Sequence, residues 1–117
     1  MSESNDMSKI GEGHILKHLE KQGYNIGNCE TVSPFSSFIE AEKMNKKYVF
    51  LVNTAAFADP DDALNYKYDM VYEEKRELLS RAQNNGAIAM VAVLKVSGAG
   101  TPGGPGELLE PIKFKVL

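Results

Sequence analysis

Tryptophan is absent from this chain, and cysteine occurs once, as Cys29. A single cysteine excludes an intrachain disulfide, and sparse cysteine is typical of proteins from reducing compartments. No apolar run approaches the ~20 residues that a membrane-spanning helix needs. The polar start of the chain, MSESNDMSK, lacks the apolar centre of a secretory signal. We therefore expect a cytoplasmic protein that has no membrane partner.

An excess of positive charge is missing as well. The formal net charge is −3 over 117 residues, and the isoelectric point is about 5.4. Bulk charge of this sign does not attract the phosphate backbone, so net charge does not support nucleic acid as a partner. Apolar residues make up 43% of the chain, which is enough to form the core of one domain of this length.

The run YVFLV, residues 48–52, is bulky and rich in β-formers, and it predicts a strand buried on both faces. It follows the polar sequence KMNKK, in which Asn45 can adopt a positive φ. These two features together predict a β-hairpin over residues 35–54, with its second strand at the centre of a sheet. A second strand buried on both faces is predicted over residues 87–96, AIAMVAVLKV.

Two helices are predicted from apolar periodicity, and a glycine follows each of them. The first covers Lys9–Gln22 and places Glu12 on its buried side. The second covers Tyr68–Asn85 and places Lys75 near the middle of its apolar stripe. Between hairpin and second helix, residues 58–65 predict one further helical turn, because an aspartate precedes a proline at the first-turn position.

The order of helix, three strands, helix and strand predicts an α/β fold, with one mixed β-sheet flanked by helices. We expect residues 1–7 to be a disordered N-terminus and residues 8–96 to be the α/β domain. The Gly/Pro-rich residues 97–106 predict a flexible loop. Residues 107–117 predict a C-terminal edge strand, because apolar residues alternate with lysines there.

Residues 11–26, GEGHILKHLEKQGYNI, resemble the first helix of small nuclease-fold proteins. These are the archaeal Holliday-junction resolvases and their compact bacterial relatives in the PD-(D/E)xK superfamily. The order of later elements extends the resemblance over residues 8–96 and implies a restriction-endonuclease-like αβββαβ order. The matching positions are Gly11, Glu12, Leu19, Gly23 and Tyr24 in the first helix and Lys75, Ala82 and Gly86 in the second. In that family the helix glutamate points toward a metal site.

The chain departs from the family at the catalytic motif. The family's hairpin supplies an aspartate, and its central strand ends in Glu-x-Lys; the carboxylates hold Mg²⁺ and the lysine assists the attacking water. Aligning the central strand on that motif places Leu51 at the glutamate and Asn53 at the lysine. The hairpin aspartate falls near Ser36, Ser37 or Phe38. The resemblance thus implies a site from which the catalytic groups are missing.

We therefore predict a catalytically inactive nuclease-fold protein that acts as a binding or assembly module, has no cofactor and forms a homodimer. The alternative is an active Mg²⁺-dependent nuclease whose site has migrated. In that case Glu12 with Glu40 or Glu42 would hold the metal, and Lys75 would replace the strand lysine. Glu12, Glu40 and Lys75 are thus the catalytic candidates, and Glu12 and Glu42 are the metal candidates.

Each of these residues also has a purely structural interpretation. Glu12 interacts favourably with the dipole of its helix near the N-terminus, and Lys75 covers apolar surface with its stem. Glu40 and Glu42, two residues apart on a strand, form a solvated sheet face.

Three further patterns predict no site. The spacing of His14 and His18 suits a transition metal, but we interpret both as a solvated helix surface. The glycine-rich segment lacks the Gly-Lys-Ser/Thr ending of a phosphate loop. The acidic start of the second helix, YDMVYEE, argues against a double-stranded-RNA-binding module.

Overall fold

A mixed sheet of five strands runs through the residues that the computed structural model describes, 6–98 and 106–117. Neighbouring strands are antiparallel, except for the third and fourth, which are parallel. The spatial order follows the chain: β1 (Asn25–Thr31), β2 (Ser36–Lys43), β3 (Lys46–Phe57), β4 (Ile88–Ser97) and β5 (Lys113–Val116). The predicted α/β class with one mixed sheet is confirmed.

Three helices accompany the sheet: α1 (Asp6–Lys21), α2 (Pro60–Asn65) and α3 (Tyr72–Asn85). Helix α1 covers one face of the sheet and α3 covers the other, so the prediction of flanking helices is confirmed. Helix α2 is the short turn predicted after the hairpin, and the Asp59 carboxylate caps it by accepting from the Asp61 N–H at 2.9 Å. None of the helices in the described ranges is long and apolar enough to cross a membrane.

The β2–β3 hairpin forms where the sequence predicts it. Its two-residue turn consists of Met44 and Asn45, which have φ values of 52° and 66°. Two consecutive residues with positive φ are typical of the type I′ turn, whose twist matches that of the adjoining strands. The turn fixes the register, so that Ser36 at the start of β2 pairs with Asn53 near the end of β3.

Strand β3 is buried on both faces, as the run of apolar residues predicts. Phe50 and Val52 pack with α1 in one core, whereas Val49 and Leu51 pack with α3 in the other. Burial of each of these side chains contributes about 1.5–3 kcal/mol to folding. Because side chains alternate along a strand, this packing assigns every residue of β3 to one face.

Helix α1 lies close against β3 at Gly11. A Cβ atom added there would lie 1.7 Å from the Oγ1 atom of Thr54, so a larger residue does not fit unless the helix or Thr54 moves. The Thr54 hydroxyl is buried and makes no hydrogen bond to any described residue. Gly11 therefore sets the height of α1 above the sheet.

Both ends of the predicted domain differ in detail from the structure. Helix α1 begins at Asp6, so residues 6 and 7 belong to the helix and not to a disordered N-terminus. The rest of that predicted segment, residues 1–5, lies outside the described residues, as does most of the predicted flexible loop, residues 99–105. The C-terminal residues join the main sheet, because β5 pairs with β4 at its edge.

The second long helix begins later than predicted, at Tyr72 instead of Tyr68. Residues 66–71 precede it outside any helix. In this arrangement the hydroxyl of Tyr66 reaches Asn53 and that of Tyr68 reaches Glu74. These tertiary hydrogen bonds override the helical periodicity of the segment.

Candidate functional site

Two helix glutamates meet the sheet at the start of β2, one from each side: Glu12, which is buried, and Glu74, which is half-buried. Ser36 and Ser37 are consecutive strand residues, so their side chains point to opposite faces. The Ser37 hydroxyl donates to the Glu12 carboxylate of α1, and the Ser36 hydroxyl donates to the Glu74 carboxylate of α3 at 3.0 Å. Both serines pair with the end of β3, which is where the sequence places the candidate site.

Glu12 lies beneath α1 with only 7% of its surface exposed. Besides Ser37, it accepts a hydrogen bond from the Thr31 hydroxyl at 2.5 Å. The Nζ atom of Lys9 lies 3.5 Å from the other carboxylate oxygen, although the Lys9 side chain is mostly exposed. Both oxygens of Glu12 are thus occupied by groups of this chain.

Burial raises the pKa of the Glu12 carboxyl, but the hydrogen bonds from Ser37 and Thr31 act in the opposite direction. Together with the charge of Lys9 and a contact from the Cys29 thiol, they hold the pKa below its ordinary value of 4.5. Partial burial and the neighbouring carboxylate raise the pKa of the Cys29 thiol. The carboxylate is therefore ionised at neutral pH, while the thiol stays protonated and is a poor nucleophile.

Leu51 and Asn53 do not share a face with Glu12. Leu51 packs in the core under α3, and Asn53, two residues further on, points to that same face. The residues of β3 on the α1 face are Val52 and Thr54. The alignment that places Leu51 and Asn53 at the catalytic motif is therefore one residue out of register with a site around Glu12. The residues on the correct face also lack a carboxylate and an amine.

On the other face, a hydrogen-bonded chain of side chains surrounds Glu74. The Asn53 Nδ2 donates to the Ser36 Oγ at 3.4 Å, and its Oδ1 accepts from the Tyr66 hydroxyl at 3.4 Å. The Tyr68 hydroxyl donates to the second oxygen of Glu74. Donors and acceptors alternate consistently along this chain, so the network is satisfied without an added ion.

Burial raises the pKa of Tyr68 far above its ordinary range, and the hydrogen bond to Glu74 and its negative charge raise it further. Burial and the charge of Glu74 raise the pKa of Tyr66 in the same direction. Both phenols therefore remain protonated donors at neutral pH, which suits them to a positioning role and not to proton abstraction.

The candidates of the migrated metal site are not brought together. Glu40 pairs with Val49 and Glu42 pairs with Lys47, which places both carboxylates on the α3 face, across the sheet from Glu12. Residues 6–98 and 106–117 contain no group of three or more His, Cys, Asp or Glu side chains that could hold a metal ion. A metal shared by Glu12 with Glu40 or Glu42 has no geometric basis.

Lys75 is exposed and does not occupy the inner face of α3, so the predicted stripe is wrong at this position. Glu74 is the half-buried residue there, one turn before the buried Leu78. Periodicity alone does not separate positions 74 and 75, because both lie on the side of the helix that Leu78 occupies. The hydrogen bonds from the Ser36 and Tyr68 hydroxyls to Glu74 determine that position 74, and not position 75, points toward the sheet.

The two histidines of α1 are half-buried and not fully solvated. The His14 Nε2 atom lies 2.7 Å from the carbonyl oxygen of Gly106, and the ring of His18 packs against Phe114 at 5.2 Å. The C-terminal segment therefore covers this side of α1. The sequence interpretation of both residues as a solvated surface is wrong because it did not include that segment.

No known family model matches this chain, and no characterised protein is detectably similar to it in sequence. What is known of this chain therefore comes from its structure, namely the α/β architecture and the surroundings of Glu12 and Glu74. The relationship of residues 8–96 to the nuclease superfamily stays a prediction.

Proposed function

We propose that this chain is a nuclease-like α/β protein without catalytic activity, which acts as a binding or assembly module. The observation that carries the proposal is the state of Glu12. Its carboxylate is held by two hydroxyl donors on one oxygen and lies beside the Lys9 ammonium on the other, so it is already occupied in the folded chain.

The surroundings of Glu12 also lack what hydrolysis requires. Mg²⁺ binds through carboxylate oxygens and retained waters, and one carboxylate carries too little charge to offset its dehydration. On the α1 face β3 contributes Val52 and Thr54, so this strand places neither a second acid nor a lysine beside Glu12. The lysine that lies near Glu12 is Lys9 of its own helix, which is mostly exposed. A central strand with these residues has no group to polarise the attacking water.

Incubation of the purified protein with plasmid DNA, single-stranded DNA and RNA in the presence of Mg²⁺ or Mn²⁺ tests the proposal. We expect no cleavage above the level of a Glu12→Gln variant. The matched control is Glu20→Gln, which removes an exposed acid from the same helix. Cleavage by the parent protein and by Glu20→Gln, but not by Glu12→Gln, would contradict the proposal.

The assembly role that we propose is a homodimer formed through β5. This strand is at the edge of the sheet and is exposed along its whole length. Because the Leu117 N–H bonds to Ala89, the alternating pattern points the Val116 N–H away from β4. We expect light scattering to give a dimer mass for the parent and a monomer mass for Val116→Pro. A monomeric parent would remove this part of the proposal.

A further inference from the structure

A large cavity lies on the α3 face, between strands β4 and β5 and the segment of residues 66–70. It has a volume of about 480 Å³, within the usual range of small-molecule sites. Five lysines line it, and we refer to it as the lysine cleft: Lys67, Lys75, Lys95, Lys113 and Lys115.

The lysines converge on the cleft from four different elements. Lys113 and Lys115 are two residues apart on β5, so both project from the same face as Val93 and Val91, their partners on β4. Lys95 follows on β4, again on this face, and its buried Nζ atom already donates to the Ala63 carbonyl at 2.6 Å. The remaining two come from the segment before α3 and from α3 itself. The cleft is a product of the tertiary fold and not a run of basic sequence.

The positive charge of the cleft exceeds the negative charge around it. Asp69 is the single acid in its lining. Glu110 lies 3.6 Å from Lys95 and 3.4 Å from Lys113, so one carboxylate serves two ammonium groups. The other three cleft lysines have no ion-pair partner within the described ranges. In a chain of net charge −3, this excess marks a local preference for anions.

The uncharged residues that line the cleft indicate which groups a bound anion would carry besides its negative charge. Val91 and Val93 provide an apolar floor, and Tyr66 and Tyr68 stand at one side. Lysine recognises phosphate as a point charge, whereas planar carboxylates are usually gripped by arginine, and no arginine lines this cleft. A phosphate group joined to a planar or apolar body fits both parts of the lining.

The surface around the cleft favours a small ligand over a polymer. The chain between residues 59 and 86 carries seven acidic and four basic side chains, and part of it, residues 66–70 and Lys75, lines the cleft. Asp61 and Glu73 are exposed acids within it. A nucleic acid strand that continued out of the cleft would meet these acids, whereas a ligand confined to the cavity would not.

We propose that the lysine cleft is a binding site for a small phosphorylated ligand of nucleotide type, in which several phosphates meet the lysines and the ring system lies on the valine floor beside the tyrosines. The proposal rests on the binding role given above and supplies its ligand class. It is independent of Glu12, which lies on the other face of the sheet.

The test is an NMR and calorimetric titration of the full chain with three probes: ATP, inorganic tripolyphosphate and adenosine. We expect saturable binding of ATP, weaker binding of tripolyphosphate and weakest binding of adenosine. Amide shifts should concentrate in residues 66–70 and in β5. The variant Lys67→Gln/Lys75→Gln/Lys115→Gln removes exposed lysines only and should weaken ATP binding about tenfold or more.

The matched control is Lys17→Gln/Lys21→Gln/Lys46→Gln, which changes net charge equally at exposed positions outside the cleft. It should bind ATP within about twofold of the parent. Equal weakening in both triple variants, unsaturable shifts, or binding of a single-stranded oligonucleotide but not of ATP would overturn the proposal. If ATP does not bind in this way, the proposal that the protein lacks nuclease activity still stands. Cleavage that depends on Glu12 would instead refute the proposed function and leave the lysine cleft proposal standing.

Discussion

The two faces of the sheet hold the same local arrangement in opposite settings. On each face a helix glutamate accepts a hydrogen bond from one of two consecutive serines of β2. Under α1, Glu12 is sealed beneath a helix that Gly11 allows to approach closely. Under α3, Glu74 belongs to a network whose tyrosines line an open cleft. The difference shows that a glutamate facing the sheet does not by itself indicate a catalytic site. The groups that contact its carboxylate decide its role.

The largest effect we expect comes from adding a side chain at Gly11, where α1 lies close to β3. Gly11→Ala places a Cβ atom against Thr54 and should lower the free energy of unfolding by about 2–3 kcal/mol through overpacking. Gly13→Ala is the matched control, because no atom beyond its own stretch of helix lies within 4 Å of the added Cβ. It should raise stability by about 0.5–1 kcal/mol through helix propensity. Urea denaturation measures both, and equal stabilities would show that α1 lies further from β3.

A smaller contrast should separate the two glutamates. Glu12→Ala leaves the buried hydroxyls of Ser37 and Thr31 without their acceptor, and we expect a loss of about 2 kcal/mol. Glu74→Ala should cost about 1 kcal/mol, because Glu74 is only half-buried and water can replace it. Thermal and urea unfolding of the two variants give the comparison. A larger loss for Glu74 would reverse our assignment of the closed face.

The pH dependence of stability should have an acid limb from Glu12 and an alkaline limb to which Tyr68 contributes. The pKa of Glu12 is lowered on folding, so its contribution is complete above 4.5 and is lost as the pH falls through the folded value. The pKa of Tyr68 is raised, so its contribution is complete below 10.0 and is lost as the pH rises above it. Glu12→Gln should flatten the acid limb, and it should also reduce the alkaline contribution of Cys29, whose pKa the Glu12 carboxylate raises. Tyr68→Phe should flatten the alkaline limb alone. Denaturation at a series of pH values checks this, and an unchanged acid limb in Glu12→Gln or a changed acid limb in Tyr68→Phe would contradict it.

The smallest effect concerns the exposed partner of Glu12. Lys9→Gln should change the free energy of unfolding by less than about 0.5 kcal/mol, because an ammonium in water contributes little to an ion pair. The hydroxyl groups, and not the lysine, are then what hold the carboxylate. A loss as large as that of Glu12→Ala in the same urea titration would assign that role to Lys9.

Local signals in the sequence predict much of this fold. The turn at Asn45, the buried strand at residues 48–52 and the cap at Asp59 each depend on the chemistry of a few neighbouring residues, and each is confirmed. The late start of α3 was not predictable in this way, because it depends on hydrogen bonds from Tyr66 and Tyr68 to residues elsewhere in the chain.

A second feature that the sequence does not predict is the face of the sheet to which each residue of the central strand points. A strand that is apolar at every position has no alternation, so its sequence does not say which residues turn toward α1. The alignment of Leu51 with a catalytic glutamate was therefore free to be one residue out of step. Glu74 was missed for a related reason, since its half-buried position follows from Ser36 and Tyr68. The alternating lysines of β5 were visible, but their convergence with Lys67 and Lys95 was not.

The central claim is that the Glu12 carboxylate is occupied by its own chain and does not take up a divalent ion. The most direct measurement is the titration of Mn²⁺ into isotopically labelled protein, followed by paramagnetic broadening of the amide signals. We predict no saturable broadening at Glu12, Thr31 or Ser37. Saturable broadening at these three residues that disappears in Glu12→Gln would contradict the account.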